Sequence, residues 1–137
     1  MSELRIGVVG YSATEFNEQK AKKLLTTGFD TILSSHNGPV CVVSGLTAIG
    51  IPKLAYEQAD ARGWRTAGVA CSKAEEYETY PVGETTIVGS NWGDESDEFL
   101  TQIDVLLRVG GGEQAIEETK HAVSEGIDVY EYELPEK

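Results

Sequence analysis

The sequence predicts an α/β protein, a doubly wound parallel sheet in a three-layer α/β/α arrangement. Short apolar runs alternate with segments of helical periodicity along the chain, and such runs are typical of parallel strands that are buried on both faces. The connections between them are short, which favours strand–helix–strand crossovers. We therefore expect a single domain over residues 1–137. If the strand order is 3-2-1-4-5-6, the sheet reverses direction between strands one and four.

Six apolar runs are expected to be strands. They are Arg5–Gly10, Val40–Ser44, Thr66–Cys71, Thr85–Gly89, Val105–Val109 and Val129–Leu134. The last run alternates apolar and acidic residues, which favours an edge strand with one solvated face. The first helix is expected to begin near Ser12 and Glu15, because their spacing is that of a capping box.

The composition excludes several classes of partner. The chain has 11 basic and 23 acidic residues, a net charge of −12, and no basic cluster. Nucleic-acid binding depends on Lys and Arg to displace counterions, so we expect no nucleic-acid partner. The same charge argues against binding to anionic membranes. No apolar run reaches the roughly 20 residues that a membrane span needs.

The chain also predicts a reducing environment and no metal. The opening residues lack the features of a signal peptide, so a cytoplasmic location is expected. Cys41 and Cys71 are expected to be buried free thiols rather than a disulfide. No Cys/His cluster has zinc-ligand spacing, so neither a metal nor a cofactor is predicted.

The segment Ile103–Val123 carries the leading functional motif. An apolar run ends in Gly110, Gly111 and Gly112, and a helical pattern follows at once. Its predicted inner face consists of Ala115, Ile116, Thr119, Ala122 and Val123. A strand that delivers a glycine turn to a helix N-terminus lets backbone N–H groups contact a ligand. A tight strand–helix turn without a ligand is the alternative.

Four glycine-containing loops are expected to meet at the carboxyl ends of the strands, where the sheet reverses direction and ligands bind. They are 10–14, 44–50, 89–93 and 110–115. The candidate ligand-binding residues in them are Gly10, Ser12, Gly45, Thr47, Gly50, Asn91, Trp92, Gly110, Gly111, Gly112, Gln114 and Ala115. Ser12 could instead only cap a helix, and Trp92 could cover a hydrophobic edge rather than stack on a base.

Three charged residues have two interpretations each. Glu118 could contact a ligand or belong to a solvated helix face. Glu113 suits the helix dipole, but it would repel a phosphate bound at the helix start. Arg108 lies in a predicted interior strand, where an unpaired charge is costly. It should therefore have an acidic partner, inside the fold or across a subunit interface, and a ligand role is the alternative.

Two segments resemble the SLOG superfamily of Rossmann-like proteins. VSGLTAIGIPKLAYEQADARGWRTAGVA is similar to a segment shared by the lysine-decarboxylase-like "lonely guy" phosphoribohydrolases and the DNA-processing protein A family. IDVLLRVGGGEQAIEE resembles the strand and PGGxGTxxE motif of the phosphoribohydrolase branch. Gly111 and Gly112 match its two glycines, and Glu118 matches its glutamate.

The resemblance implies a nucleotide-binding domain, a homodimer and a catalytic role for Glu118. The phosphoribohydrolases carry an arginine before the fifth strand, where this chain has NWGDESDEF. Loss of such a charge-stabilising group typically costs about 10²–10³ in rate. Binding of a nucleotide- or nucleoside-like small molecule is therefore the leading hypothesis. The alternatives are a nucleoside 5′-monophosphate phosphoribohydrolase and a non-catalytic interaction protein with a vestigial site.

Overall fold

Six parallel strands and four α-helices form the protein in a computed structural model that describes residues 2–12 and 14–136. The strands are β1 (Leu4–Gly10), β2 (Val40–Ser44), β3 (Arg65–Ala70), β4 (Glu84–Ile87), β5 (Val105–Val109) and β6 (Asp128–Tyr132). The helices are α1 (Glu18–Leu33), α2 (Gly50–Ala61), α3 (Ser96–Thr101) and α4 (Glu113–Ser124). All five strand pairings are parallel.

The helices cover both faces of the sheet, as the sequence predicts. One core cluster joins α1 and α2 to side chains such as Ile6, Val42 and Leu107. The other joins α3 and α4 to the opposite face through Cys41, Val43 and Leu106. Alternate residues of one strand therefore serve two cores, which explains why the strands are apolar on both faces. The architecture is three-layer α/β/α.

The predicted strand order is wrong at one position. The observed order is β4-β3-β2-β1-β5-β6, so β4 lies at the edge beyond β3 rather than beside β1. The sequence ETTI leaves β4 largely exposed, whereas every residue of β5 is buried. An apolar strand gains more from the interior position beside β1. The direction of the sheet therefore reverses between β1 and β5, and β6 is the edge strand that its alternation predicts.

The first helix begins later than its capping-box spacing predicts. Asn17 is the N-cap, and its side-chain oxygen accepts a hydrogen bond from the Lys20 N–H at 3.0 Å. Asn and Ser are about equally good N-caps, so α1 can begin after Asn17 instead of after Ser12. Ser12 is not a cap and stays in the loop that follows β1.

The buried face of α4 is narrower than its periodicity predicts. Ala115, Thr119 and Ala122 are buried. Ile116 and Val123, predicted to face inward, are 41% and 62% exposed. The small buried residues let α4 approach the sheet closely, and this contact leaves the flanking Ile116 and Val123 outside.

Two further predictions concern the cysteines and the absence of a membrane span. Cys41 and Cys71 are free and buried, as predicted. None of the helices in residues 2–12 and 14–136 is both long and apolar enough to cross a membrane.

Candidate functional site

A cleft of about 350 Å³ lies at the carboxyl ends of β1, β2 and β3, against the start of α4. The loops after β1 and β2, the segment before α3 and the first turns of α4 all contribute to it. Its lining includes Gly10, Tyr11, Ser12, Thr14, Ser44, Gly45, Leu46, Thr47, Trp92, Glu95, Gly112, Glu113, Gln114, Ala115 and Glu118. Ligands of open α/β sheets bind in this position.

Two glycines let the loops after β1 and β5 touch. Gly111 has φ +111°, and a Cβ there would lie 2.7 Å from the Ala115 Cβ and 3.1 Å from the Gly10 Cα. A Cβ on Gly10 would lie 2.4 Å from the Val109 carbonyl oxygen. Only glycine fits at either position without a shift of backbone. The close approach brings α4 to the mouth of the cleft.

The start of α4 presents unpaired backbone donors to the cleft. Gly112 is the N-cap and supplies no side-chain hydrogen bond. The N–H groups of Glu113, Gln114 and Ala115 have no acceptor among the residues that the structure describes. A Cβ on Gly112 would meet nothing within 4 Å, so this corner of the cleft is open. A helix start of this kind favours an electron-rich ligand atom.

Arg108 fixes the glycine turn from within the sheet. Its side chain is only 8% exposed. It donates to the Glu131 carboxylate at 3.0 Å, to the Glu133 carboxylate at 2.8 Å and to the Gly110 carbonyl at 2.9 Å. Burial would lower the pKa of Arg108, but hydrogen bonds to Glu133 and Glu131 outweigh it and the pKa is raised. The predicted acidic partner is confirmed, and it lies inside the fold.

Two of the carboxylates that line the cleft, Glu95 and Glu118, lie beside the side chain of Gln114. The Gln114 side-chain amide donates to Glu95 Oε1 at 3.2 Å, and Gln114 lies one helical turn before Glu118 on α4. The Ser96 hydroxyl donates to Glu118 Oε2 at 2.8 Å. The Gly93 N–H donates to Glu95 Oε2 at 3.2 Å. This cluster of Glu95, Ser96, Gln114 and Glu118 is called the carboxylate pair with its bridge.

Burial is the main influence on Glu118. It raises the pKa of this carboxyl above its ordinary value, since the charged form loses solvation. Hydrogen bonds from Ser96 and Gln114 act in the opposite direction, and the charge of Glu95 raises the pKa further. Burial therefore favours the protonated form of Glu118 more than solvent favours that of an exposed glutamate.

The structure brings nine of the thirteen predicted residues into the cleft lining. They are Gly10, Ser12, Gly45, Thr47, Trp92, Gly112, Gln114, Ala115 and Glu118. The other four, Gly50, Asn91, Gly110 and Gly111, do not line it. Gly50, with φ +67°, packs on the backbone of Tyr11 and Ser12. Gly110, with φ +59°, faces the Tyr11 ring and Leu134.

The loop after β4 reaches the cleft even though β4 lies at the sheet edge. Asp94 closes this loop by accepting from the backbone N–H groups of Ser90 and Asn91 at 3.1 and 3.0 Å. Asn91 is exposed and does not line the cleft. Trp92 is half-exposed at the cleft, with its ring centroid 5.9 Å from that of Tyr77.

Sequence reasoning missed Glu95 and Ser44. Glu95 is one of several acids in SNWGDESDE, and nothing in the sequence separates it from its solvated neighbours. It is nevertheless only 7% exposed. Ser44 is fully buried, and its hydroxyl donates to the Val8 carbonyl at 2.6 Å, which ties the ends of β1 and β2 together. Its place at the end of an apolar strand is the one available signal.

Within residues 2–12 and 14–136, no group of three or more His, Cys, Asp or Glu side chains could hold a metal ion. The cleft lining also contains no Lys, Arg or His among the described residues. The chemistry available to a ligand is therefore that of backbone donors, hydroxyls, an indole ring and carboxylates.

No family model and no curated protein matches the chain, but several solved structures resemble its fold. TM1055 superposes with TM-score 0.73 and 19% identity, over 92% of this chain and 72% of that one. TM1055 and this chain therefore share a Rossmann-like fold. A molybdenum cofactor binding protein from the phototrophic bacterium Rippkaea orientalis gives TM-score 0.76 and 19% identity, over 96% and 77% of the two chains. The molybdenum cofactor carrier protein from Chlamydomonas reinhardtii gives 0.70 and 20%, over 95% and 76%.

Proposed function

We propose that this chain is a SLOG-type protein that binds a nucleoside- or nucleotide-like small molecule in the cleft beside β1 and β5. Three kinds of ligand-binding group come together in this cleft. Among the described residues, unpaired N–H groups at the start of α4, an indole ring and three carboxylates line the same cleft of about 350 Å³. That volume is at the lower end for small-ligand sites, which suits a single nucleoside.

The structural neighbours support a small-ligand role. Two of them are described as a binding protein and a carrier protein for the molybdenum cofactor. At 19–20% identity their ligand does not transfer with their fold. The ligand of this chain is therefore proposed from its own cleft residues.

The electrostatics favour a ligand with little negative charge. Glu95, Glu113 and Glu118 line the cleft, and no basic side chain lies among the described lining residues. The whole chain adds a net charge of −12. A phosphate at the start of α4 would gain from the helix dipole but would be repelled by Glu113. Neutral oxygen atoms of a ribose or a ring carbonyl suit the α4 N–H groups better.

A thermal-shift panel tests the proposal. Nucleosides, their monophosphates, cyclic nucleotides, ADP-ribose and pterins would each be added to the purified protein. A ligand at about 100 times its dissociation constant should stabilise the fold by about 2.7 kcal/mol, which raises Tm measurably. If no member of the panel raises Tm, the proposal is wrong.

A matched pair of variants places the binding in the cleft. Gly112→Val inserts a side chain at the open corner, where φ is −90° and no atom lies within 4 Å of a Cβ. It should fold normally and lose the ligand-induced shift. Glu117→Val, on the exposed side of the same helix, should keep the shift. Equal shifts in both variants would move the binding elsewhere.

A second candidate function is hydrolysis of the N-glycosidic bond of a nucleoside 5′-monophosphate. The place of Glu118 in the cleft favours it, because burial raises the pKa of this carboxyl, which is the direction that a general acid for a leaving base needs. Release of free base, measured by chromatography and abolished in Glu118→Gln, would establish it. Tight binding without release supports a binding protein instead.

The resemblance to SLOG proteins also supports a homodimer. The exposed Ile116 and Val123 lie two turns apart on one face of α4, where a second copy could cover them. Light scattering coupled to size-exclusion chromatography should give twice the chain mass. A monomeric mass at working concentrations would reject the dimer.

A further inference from the structure

Among the residues that the structure describes, the carboxylate pair with its bridge has no cationic partner in the cleft. Glu95 is almost completely buried, and Glu118 is half-buried beside it. Gln114 is a neutral amide, so its hydrogen bond to Glu95 neutralises neither charge. Taking carboxylates out of water without a counter-charge is costly unless hydrogen-bond donors compensate. The cleft is therefore short of donors on this side.

The two carboxylates retain capacity to accept hydrogen bonds. An ionised carboxylate offers about four lone-pair positions. Glu95 accepts from Gln114 and from the Gly93 N–H, one on each oxygen. Glu118 accepts from Ser96 on Oε2 and interacts with Gln114. Each group can thus accept at least one further donor from a ligand in the cleft.

A divalent cation fits this pair poorly. Hard cations take six or more oxygen ligands, usually from several carboxylates and carbonyls. The described residues contain no group of three or more acidic, His or Cys side chains that could act together. A ligand that carries its own N–H donors satisfies the same lone pairs without needing a third carboxylate.

The rest of the cleft fits a planar ring. Trp92 lines it with half of its side chain exposed, and the neighbouring Tyr77 ring limits where the indole can move. Aromatic side chains stack on heterocyclic bases and contribute to their binding. A flat heterocycle that stacks on Trp92 would direct one edge into the cleft toward the carboxylates.

We infer that the carboxylate pair selects a heterocycle with adjacent ring N–H and exocyclic NH₂ donors, as in the N1–H and 2-amino edge of guanine and of pterins. The inference rests on the proposed function, since it names the ligand class for the same cleft. Adenine is the poor fit, because its N1 is an acceptor that would face a carboxylate. Inosine is the informative intermediate, because it keeps N1–H and lacks only the 2-amino group.

Calorimetric titration of the unmodified protein with guanosine, inosine and adenosine tests the inference. Hydrogen bonds to charged acceptors are strong, so guanosine should bind about tenfold or more tightly than inosine, and adenosine most weakly. If inosine or adenosine binds as tightly as guanosine, the inference is wrong while the proposed function stands. If no nucleoside, nucleotide or pterin binds, both are wrong.

Variants assign the preference to the carboxylates. Glu118→Gln and Glu95→Gln keep the side-chain shape but replace one acceptor oxygen by a donor. Each should reduce the guanosine-to-inosine affinity ratio toward one. Glu117→Gln, an exposed acid on the same helix, should keep the ratio. Circular dichroism and Tm establish that each variant is folded, and an unchanged ratio in both folded test variants overturns the inference.

Discussion

At the scale of single residues, Arg108 shows how a charged side chain can belong in a central strand. It occupies a register position beside Val9 on one side and Glu131 on the other. Its guanidinium binds the carboxylates of Glu131 and Glu133, and its third partner is the Gly110 carbonyl at 2.9 Å. The alternating acidic residues Glu131 and Glu133 thus give the sheet a polar edge, and through Arg108 they also stabilise the glycine turn.

Replacing Arg108 by Met should lower the free energy of unfolding by about 2 kcal/mol, because the buried Gly110 carbonyl loses a charged donor. Ligand affinity should also fall, since the turn that positions α4 is released. Urea unfolding and calorimetry measure the two effects. Arg65→Met removes an exposed arginine that also binds two glutamates, and it should change stability little. A variant of Arg108 as stable as the unmodified protein would contradict this role.

Glu118 should give stability an unusual dependence on pH. Burial raises the pKa of Glu118 in the folded protein above its ordinary 4.5. The folded state then holds the proton where the unfolded chain releases it. This contribution is complete below pH 4.5 and is lost as pH rises through the folded pKa. The stability of the unmodified protein relative to Glu118→Gln should therefore decrease across that window.

Urea unfolding of both proteins between about pH 4 and pH 7 measures the decrease. Glu117→Gln is the control, because it makes the same substitution at an exposed glutamate of the same helix. A stability difference that is flat with pH, or that grows toward neutral pH, would show that Glu118 ionises like a solvated glutamate.

At the scale of elements, the strand–glycine–helix unit was predictable because its signals are local. The apolar run, the three glycines and the helical period adjoin one another in the sequence. The start of α1 was not predictable from Ser12 and Glu15, because a second good cap, Asn17, lies close by. The place of β4 was not predictable either, since it depends on a comparison with β5, which lies far along the chain.

The adjacent glycines of this unit should respond differently to alanine. Gly111 has φ +111°, and a Cβ there lies 2.7 Å from the Ala115 Cβ. Gly111→Ala should cost more than about 1 kcal/mol and weaken ligand binding. Gly112 has φ −90° and open space around its Cβ. Gly112→Ala should change stability by less than about 1 kcal/mol, because alanine fits the open space and restricts the unfolded chain but is a poorer N-cap than glycine.

Thermal and urea unfolding of the two single variants compare the glycines directly. The same substitution at neighbouring positions controls for helix propensity and for the loss of backbone freedom in the unfolded chain. Equal costs at both positions would mean that the turn tolerates a side chain at Gly111, and the close approach of the two loops would then not need glycine.

At the scale of the whole molecule, the layers and the cleft follow from the sequence, but the charge pattern of the cleft does not. Parallel strands with helical crossovers bring the carboxyl ends of β1, β2 and β5 to one edge. Glu95 joins that edge because the loop after β4 folds back across the sheet, and no local pattern encodes that path. The carboxylate pair therefore became visible only in three dimensions.

The charge of the whole molecule leads to a prediction about phosphate. The net charge of −12 and the three acids of the cleft repel an anionic ligand. The tightest-binding nucleoside should therefore bind more tightly than its own 5′-monophosphate at low ionic strength. The gap should narrow with salt, because the screening length falls from about 30 Å at 0.01 M to about 8 Å at 0.15 M.

Calorimetric titrations of the nucleoside and its monophosphate at low and at physiological salt measure this gap. The uncharged nucleoside is its own control, since its affinity should hardly change with salt. Tighter binding of the monophosphate at low salt would contradict the prediction. The unpaired N–H groups of α4 would then outweigh the surrounding carboxylates, and the start of α4 would be a phosphate site despite Glu113.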